Sequence, residues 1–277
     1  MDSVKVKNFI ILVLVIVNLA LLVVVVRDNM RGSEQRRDAI EGAAGILSGY
    51  GIGVSEDADL SEREASVYSL SRSEGMEQQA AESILGSVEK TDRGGGIMYY
   101  TGALGEATFR STGGVELQFY GISAPQTDDP EAMALEYTHI LGATEAKDDG
   151  AVSVTAGESS TTVEVCCAWL DARIINCRLT FTFKEGKLLY ISGSRPLGET
   201  VSEQEAQIID VPTVLMRFIE LTQEKGMVCS MLEELELCYV YTASASGGGS
   251  LSPVWRLVTD TGELYVNALS GKEEAVS

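Results

Sequence analysis

The chain has 277 residues, with 41 acidic against 21 basic side chains and a formal net charge of −20. That surplus repels phosphate backbones and anionic headgroups, so nucleic acid and peripheral lipid binding are excluded as leading roles. With 45 % hydrophobic residues and 5 prolines, the chain has material for one large core or two smaller ones and is not a disordered stalk.

Residues 9–26, FIILVLVIVNLALLVVVV, carry no charge. As a helix they would reach roughly 27 Å, close to the hydrocarbon thickness of a bilayer. A signal peptide has a shorter apolar core of about 7–15 residues and a small-residue cleavage site, and neither fits here. The run is therefore predicted to be an uncleaved transmembrane anchor set in the lipid bilayer. Lys5 and Lys7 precede it, while Arg27, Arg31, Arg36 and Arg37 follow, so the positive-inside rule mildly favours an inside body. The targeting-like start and the acidic remainder favour the opposite: residues 1–8 cytoplasmic and the body extracytoplasmic.

Beyond the anchor, a helical stripe (Ala39, Ile40, Ala43, Ala44, Leu47) predicts a helix over 35–48, and Met76, Ala80, Ala81, Ile84 and Leu85 predict another over 74–88. Strand-like runs follow at 97–101, 107–110 and 115–120. Asp129 before Pro130 reads as a cap on a helix that ends at Gly142. Strands return at 151–155, 161–170, 174–183 and 187–192, with Glu185-Gly186 as a hairpin turn. Ser202-Glu203-Gln204-Glu205 reads as a capping box opening a helix towards Gly226, which Pro212 should bend or split. Strands at 228–242, 254–259 and 264–268 close the chain. Helix followed by antiparallel meander thus recurs about three times, which is α+β patterning. The predicted organisation is a first extracytoplasmic α+β domain over 27–125 and a second α+β region over 126–277.

Catalytic constellations are wanting. His139, the single histidine, lies on a helix near Glu136 and reads as a surface pair. No zinc-ligand spacing or nucleophile-elbow pattern occurs, and acidic pairs such as Asp128-Asp129, Asp148-Asp149 and Glu233-Glu234 are commonplace in so acidic a chain. Gly94-Gly95-Gly96 and Gly247-Gly248-Gly249 lack the lysine that a phosphate loop needs. Cys166, Cys167, Cys177, Cys229 and Cys238 are odd in number and sit in apolar runs, where free cysteine behaves as a small buried hydrophobe. The expectation is a protein without cofactor, metal or catalytic activity.

The terminal stretch SPVWRLVTDTGELYVNALSG reads as a hairpin, with Trp255 and Tyr265 placed to meet across it. It resembles the closing hairpin of PepSY-like modules, in which a helix opened by Ser-x-x-Glu-Ala precedes a "W…YVNA.TGE" phrase. The positions that match are Ser202, Glu205, Ala206, Trp255, Tyr265, Val266, Asn267, Ala268 and Gly271, which makes residues 200–277 a PepSY-like unit. The start, Met1, Asp2 and Lys5, followed by an apolar helix with Asn18, Leu21 and Leu22, resembles the YycI/YycH-type regulators of a Gram-positive cell-wall two-component system, and YycI more than YycH on length. The resemblance implies a single-pass cell-membrane protein that is no enzyme. Its implied partners are a membrane sensor histidine kinase and a YycH-like sister protein, contacted partly through the transmembrane helix at Asn18, Leu21 and Leu22. A mid-membrane amide bonds either across a helix–helix interface or to its own helix. The alternative is an exported PepSY-type binding module that inhibits or chaperones an extracellular protease.

Overall fold

The computed structural model describes residues 34–148, 150–244 and 247–275. The expected anchor over 9–26, with Asn18, Leu21 and Leu22, lies outside the described residues. Among the described residues no helix is long and apolar enough to cross a membrane.

Among the described residues four helices and fifteen strands make an α+β fold. Helix α1 covers described residues 34–49, followed by β1 (Gly53–Val54), β2 (Ala65–Ser71) and α2 (Glu74–Leu85). A meander follows: β3 (Val88–Asp92), β4 (Ile97–Gly102), β5 (Gly105–Arg110) and β6 (Gly114–Phe119). Next come α3 (Pro130–Ile140), β7 (Thr144–Glu145), β8 (Val152–Ala156), β9 (Ser160–Trp169), β10 (Ala172–Lys184) and β11 (Lys187–Ser194). The last group is β12 (Glu199–Ala206), α4 (Val211–Lys225), β13 (Met231–Ala243), β14 (Gly248–Thr259) and β15 (Gly262–Asn267). Helix-then-meander order is thus present three times along the chain.

The pairing is mostly antiparallel and falls into two sheets. One runs β12-β2-β14-β13, with β15 on β14 and β1 parallel to β13. The other runs β10-β11-β6-β5-β4-β3, and β9 adds to β10 and carries β7 and β8. The middle of the chain builds the second sheet, and its two flanks build the first. Two main cores result, and the larger, centred on the second sheet, also takes in Tyr68, Leu70, Tyr239, Tyr241 and Leu251 of the first. Phe109, Phe181, Phe183, Leu179 and Tyr100 lie at the centre of the second, beneath α2 and α3. Trp255, Phe218, Leu215, Leu257 and Val266 centre the first, with α4 and Leu47 of α1 against it.

Local chemistry explains the helix ends. Asp129 Oδ1 accepts from the Ala132 amide at 3.0 Å, Pro130 takes the first turn, and Gly142 leaves the helix at φ +77°. Helix α4 overturns the expected capping box. Ser202, Glu205 and Ala206 lie on β12, paired with Ser69, Ser66 and Ala65 of β2, and the helix starts after Asp210, whose Oδ1 accepts from the Thr213 amide at 3.1 Å. A helix begun at Ser202 would carry Pro212 in its interior, at a cost of about 3 kcal/mol; begun at Val211, it meets the proline in its first turn, where no amide donor is required. Pro212 therefore neither bends nor splits α4. The buried stripe Val211, Val214, Leu215, Phe218, Ile219 and Thr222 starts there too.

The two sheets meet at β10. Against β9 its register shifts between Arg173 and Arg178, so Ile174–Cys177 stand opposite Cys167 alone. In that bulge Ile174 pairs with Tyr239 of β13, and the Asn176 carboxamide acts as a piece of strand. Its Nδ2 donates to the Tyr241 carbonyl at 2.7 Å, and its Oδ1 accepts the Tyr241 amide at 2.9 Å. Ser194 Oγ donates to the Asn176 carbonyl at 3.1 Å. N176A should strand both Tyr241 backbone groups and cost about 3 kcal/mol. N176D, which sets a carboxylate against the Tyr241 carbonyl, should also destabilise. Urea unfolding of the purified variants measures both.

Candidate recognition cleft

The terminal hairpin is built as a structural closure. Trp255 is 1 % exposed beside α4 and donates from Nε1 to the Ile209 carbonyl at 3.3 Å, and Val266 and Ala268 are fully buried. Asn267 shapes the turn: its Oδ1 accepts from the Leu269 and Ser270 amides at 3.1 and 3.0 Å, and its carbonyl accepts from Gly271 at 2.9 Å. Gly271 turns at φ +68°, and its carbonyl accepts from Arg217 Nε of α4 at 2.8 Å. Trp255 pairs with Val266 across the hairpin, and Tyr265 faces Arg256 instead of Trp255. The phrase therefore fastens the last strands to α4.

Next to that hairpin Arg256, 7 % exposed, gathers three carboxylates: Glu263 at 2.6 Å, Glu236 at 3.0 Å and Glu234 at 3.2 Å. The Arg256 guanidinium holds the Glu263 carboxyl below its ordinary value of 4.5. A carboxyl lowered on folding adds stability above its unfolded pKa, and that stability is lost as the pH falls through the lower folded value. Acid titration of the unfolding midpoint should therefore show a fall below pH 4.5 that is shallower in E263Q.

Glu205, expected to cap a helix, instead lines a cleft of 740 Å³. Edge strand β12 supplies Glu203 and Glu205, and β2 and the residue before it supply Glu64, Ser66 and Tyr68. Leu237 and Tyr239 of β13 and the β9–β10 turn close it. Tyr68 hydroxyl donates to Glu203 Oε1 at 3.1 Å. The Tyr68 ring lies 5.4 Å from Trp169 and 5.9 Å from Tyr239, centroid to centroid, in tilted and edge-on contacts that hold the aromatic wall rigid. Burial pushes the Tyr239 hydroxyl up to about 12 and raises Tyr68 as well, so both remain neutral donors at physiological pH. Past Glu205 the cleft continues into a groove of 480 Å³ lined by Arg63, Ala206, Gln207 and Ile208.

On the lip stands Leu170. The two-residue turn between β9 and β10 has Leu170 at φ +49° and Asp171 at φ +70°, the left-handed pair that Asn-Gly fills without strain. A leucine there is strained, yet 73 % of it faces solvent beside the cleft. L170N should relieve the turn and stabilise the protein by about 1 kcal/mol, read as a rise of about 2–4 °C in melting temperature.

Other sequence candidates are placed apart from the cleft. His139 pairs with Glu145 at 2.6 Å and not with Glu136. All five cysteines are free; four are buried, and burial pushes the Cys177 thiol up to about 12, far from a reactive thiolate. Among the described residues no three His, Cys, Asp or Glu side chains converge as metal ligands. No sequence motif marked the cleft. Tyr68 and Glu203 are 135 residues apart, and the one local signal was a bulky residue in a two-residue hairpin turn.

No family model matches the chain, and no curated protein matches it. Thirteen chains among the solved structures resemble it, three of them as follows. An uncharacterized protein from Eubacterium rectale aligns at a TM-score of 0.44 and 12 % identity, over 82 % of this chain and 90 % of its own. The C-terminal domain of YpeB from Bacillus megaterium aligns at 0.35 and 11 %, over 75 % of this chain and 98 % of its own. YycH from Bacillus subtilis aligns at 0.35 and 14 %, over 74 % of this chain and 50 % of its own. At these scores and identities the likenesses assign neither a family nor a role, and the resemblance to YycI rests on the sequence phrases alone.

Proposed function

We propose that this chain is a non-enzymatic, membrane-anchored accessory protein that binds and adjusts a sensor histidine kinase of a cell-wall two-component system, with its body outside the cell membrane. The observation that carries this reading is the cleft. Its walls are tyrosines, aliphatic side chains and carboxylates on paired strands, a surface suited to holding a partner segment. The uncharged run over 9–26 supports membrane attachment, and the Trp255–Gly271 phrase supports the PepSY-like resemblance. A YycH-like sister protein is the second expected partner.

Recovery of the tagged full chain from cross-linked membranes should bring down a sensor histidine kinase, and deletion of the gene should change that kinase's phosphorylation. Absence of both effects would refute the reading. Within the anchor, Asn18→Leu should weaken kinase recovery about fivefold, the equivalent of about 1 kcal/mol for an interhelical amide bond. Undiminished recovery would assign Asn18 to its own helix backbone.

A further inference from the structure

Two cysteines are set against each other where the sheets join. Up to the bulge β9 and β10 keep one register, with Leu179 against Val165 and Arg178 against Cys166. One further step of that register sets Cys177 against Cys167. Opposed residues of an antiparallel ladder have Cα atoms about 4.5–5.5 Å apart, inside the span of about 4.4–6.8 Å that a disulfide bridges. Both side chains enter the same core, at 0 % and 1 % exposure. They also share a neighbour: Cys167 Sγ donates to the Ser194 carbonyl at 3.8 Å, and the Ser194 side chain bonds the Cys177 thiol. The other three cysteines are placed elsewhere. Cys166 accepts from Arg173 Nη1 at 3.7 Å, Cys238 lies 3.5 Å from Glu236, and Cys229 packs on the other core.

We propose that Cys167 and Cys177 are a disulfide-forming pair, closed as the body folds in an oxidising compartment. The compartment rests on the placement outside the cell membrane argued above; the pairing rests on the strand register. The oxidant is a small-molecule or protein disulfide. One thiolate attacks it to give a mixed disulfide, and the second thiolate displaces the remaining half. Two thiols thereby become one S–S bond, while two protons and two electrons leave with the oxidant as its two thiols. Arg195 is buried, has no ion-pair partner among the described residues, and favours the thiolate of both cysteines. In the closed core burial outweighs that influence and holds both thiols above their usual range. The bond is therefore made while the strands come together, before the core shuts out the oxidant. Its loop takes in Ile174 and Asn176, the residues through which β10 reaches β13. Closing the pair thus pins the joint between the sheets.

The full chain in detergent, reduced and unfolded in urea and then refolded with glutathione disulfide, tests the pairing. After iodoacetamide capping and digestion without reduction, mass spectrometry should find Cys167 joined to Cys177, with Cys166, Cys229 and Cys238 capped. C166A should keep the link, and C167A and C177A should each abolish it. Cys167 left capped, or joined to any cysteine other than Cys177, would overturn the proposal. The oxidised parent should melt about 5–10 °C above its dithiothreitol-reduced form, the gain from closing so short a loop. C167A/C177A should melt at one temperature with or without dithiothreitol; a drop equal to the parent's would place the effect elsewhere and overturn the proposal. Capping the chain directly in membranes separates this inference from the one beneath it. A link found there and on refolding supports both. A link that forms on refolding and is missing from membranes would sink the extracytoplasmic placement alone, and no link in either would sink the pair.

Discussion

The architecture depends on one side-chain amide. Asn176 sits in a bulge where four residues of β10 oppose one of β9, and its carboxamide pairs with both backbone groups of Tyr241. A carboxamide carries a donor and an acceptor in one plane, as a peptide does, so it continues a ladder where the strands themselves diverge. Only one backbone register pair, Ile174 with Tyr239, links β10 to β13. Without the amide, Tyr241 would bury an unpaired N–H and C=O at the seam between two sheets. Close backbone approach there is enforced by glycine. A Cβ on Gly249 would lie 2.3 Å from the Tyr241 ring, and one on Gly113 would lie 2.2 Å from the Arg195 carbonyl.

The same seam concentrates buried charge. Arg72 makes a bidentate pair with Glu77, both oxygens at 2.8 Å, and donates to the Gly96 and Phe109 carbonyls. Glu77 is 2 % exposed, so removing either partner would leave an uncompensated interior charge. Arg195, also buried, lies 5.7 Å from the Phe109 ring centroid and donates to the Pro196 carbonyl, and burial lowers its pKa. Ions of this kind add little net stability, but they fix which way β2, α2 and β11 meet. A seam fixed on both sides holds Tyr68, Tyr239 and the β9–β10 turn in a constant relation. The cleft is thus a consequence of how the sheets are joined.

How far the sequence disclosed this follows from burial. Strands with alternating buried residues, such as Val115, Leu117 and Phe119, were legible, and so was α3, because Asp129, Pro130 and Gly142 act locally. β12 was not. Seven of its eight residues are exposed, so it has no apolar period, and Ser202-Glu203-Gln204-Glu205 imitates a helix cap. What decides between strand and helix there is remote: β2 offers a partner, and Pro212 forbids the early helix start. β2 escaped notice for the same reason, since its register to β12 and β14 is set by residues more than a hundred positions away. The cleft inherits both omissions, because its acidic wall is β12 and its aromatic wall begins on β2.

An exposed edge strand invites pairing with another chain, and β12 meets that hazard with charge. A second copy laid antiparallel on it would set glutamates near glutamates with no cation between them, which disfavours self-association. The bulge between Thr200 and Ser202 further disturbs any regular ladder. Such protection needs charge only somewhere on the strand, yet Glu203 and Glu205 both line the concave side, with Glu64 and the tyrosines. Edge protection alone does not explain why the carboxylates share that face with an aromatic wall and a strained leucine. The register supplies the rest of the explanation: Glu203 stands opposite Tyr68 and Glu205 opposite Ser66, so the strand pairing that sets charge on the edge also sets those charges beside the tyrosine.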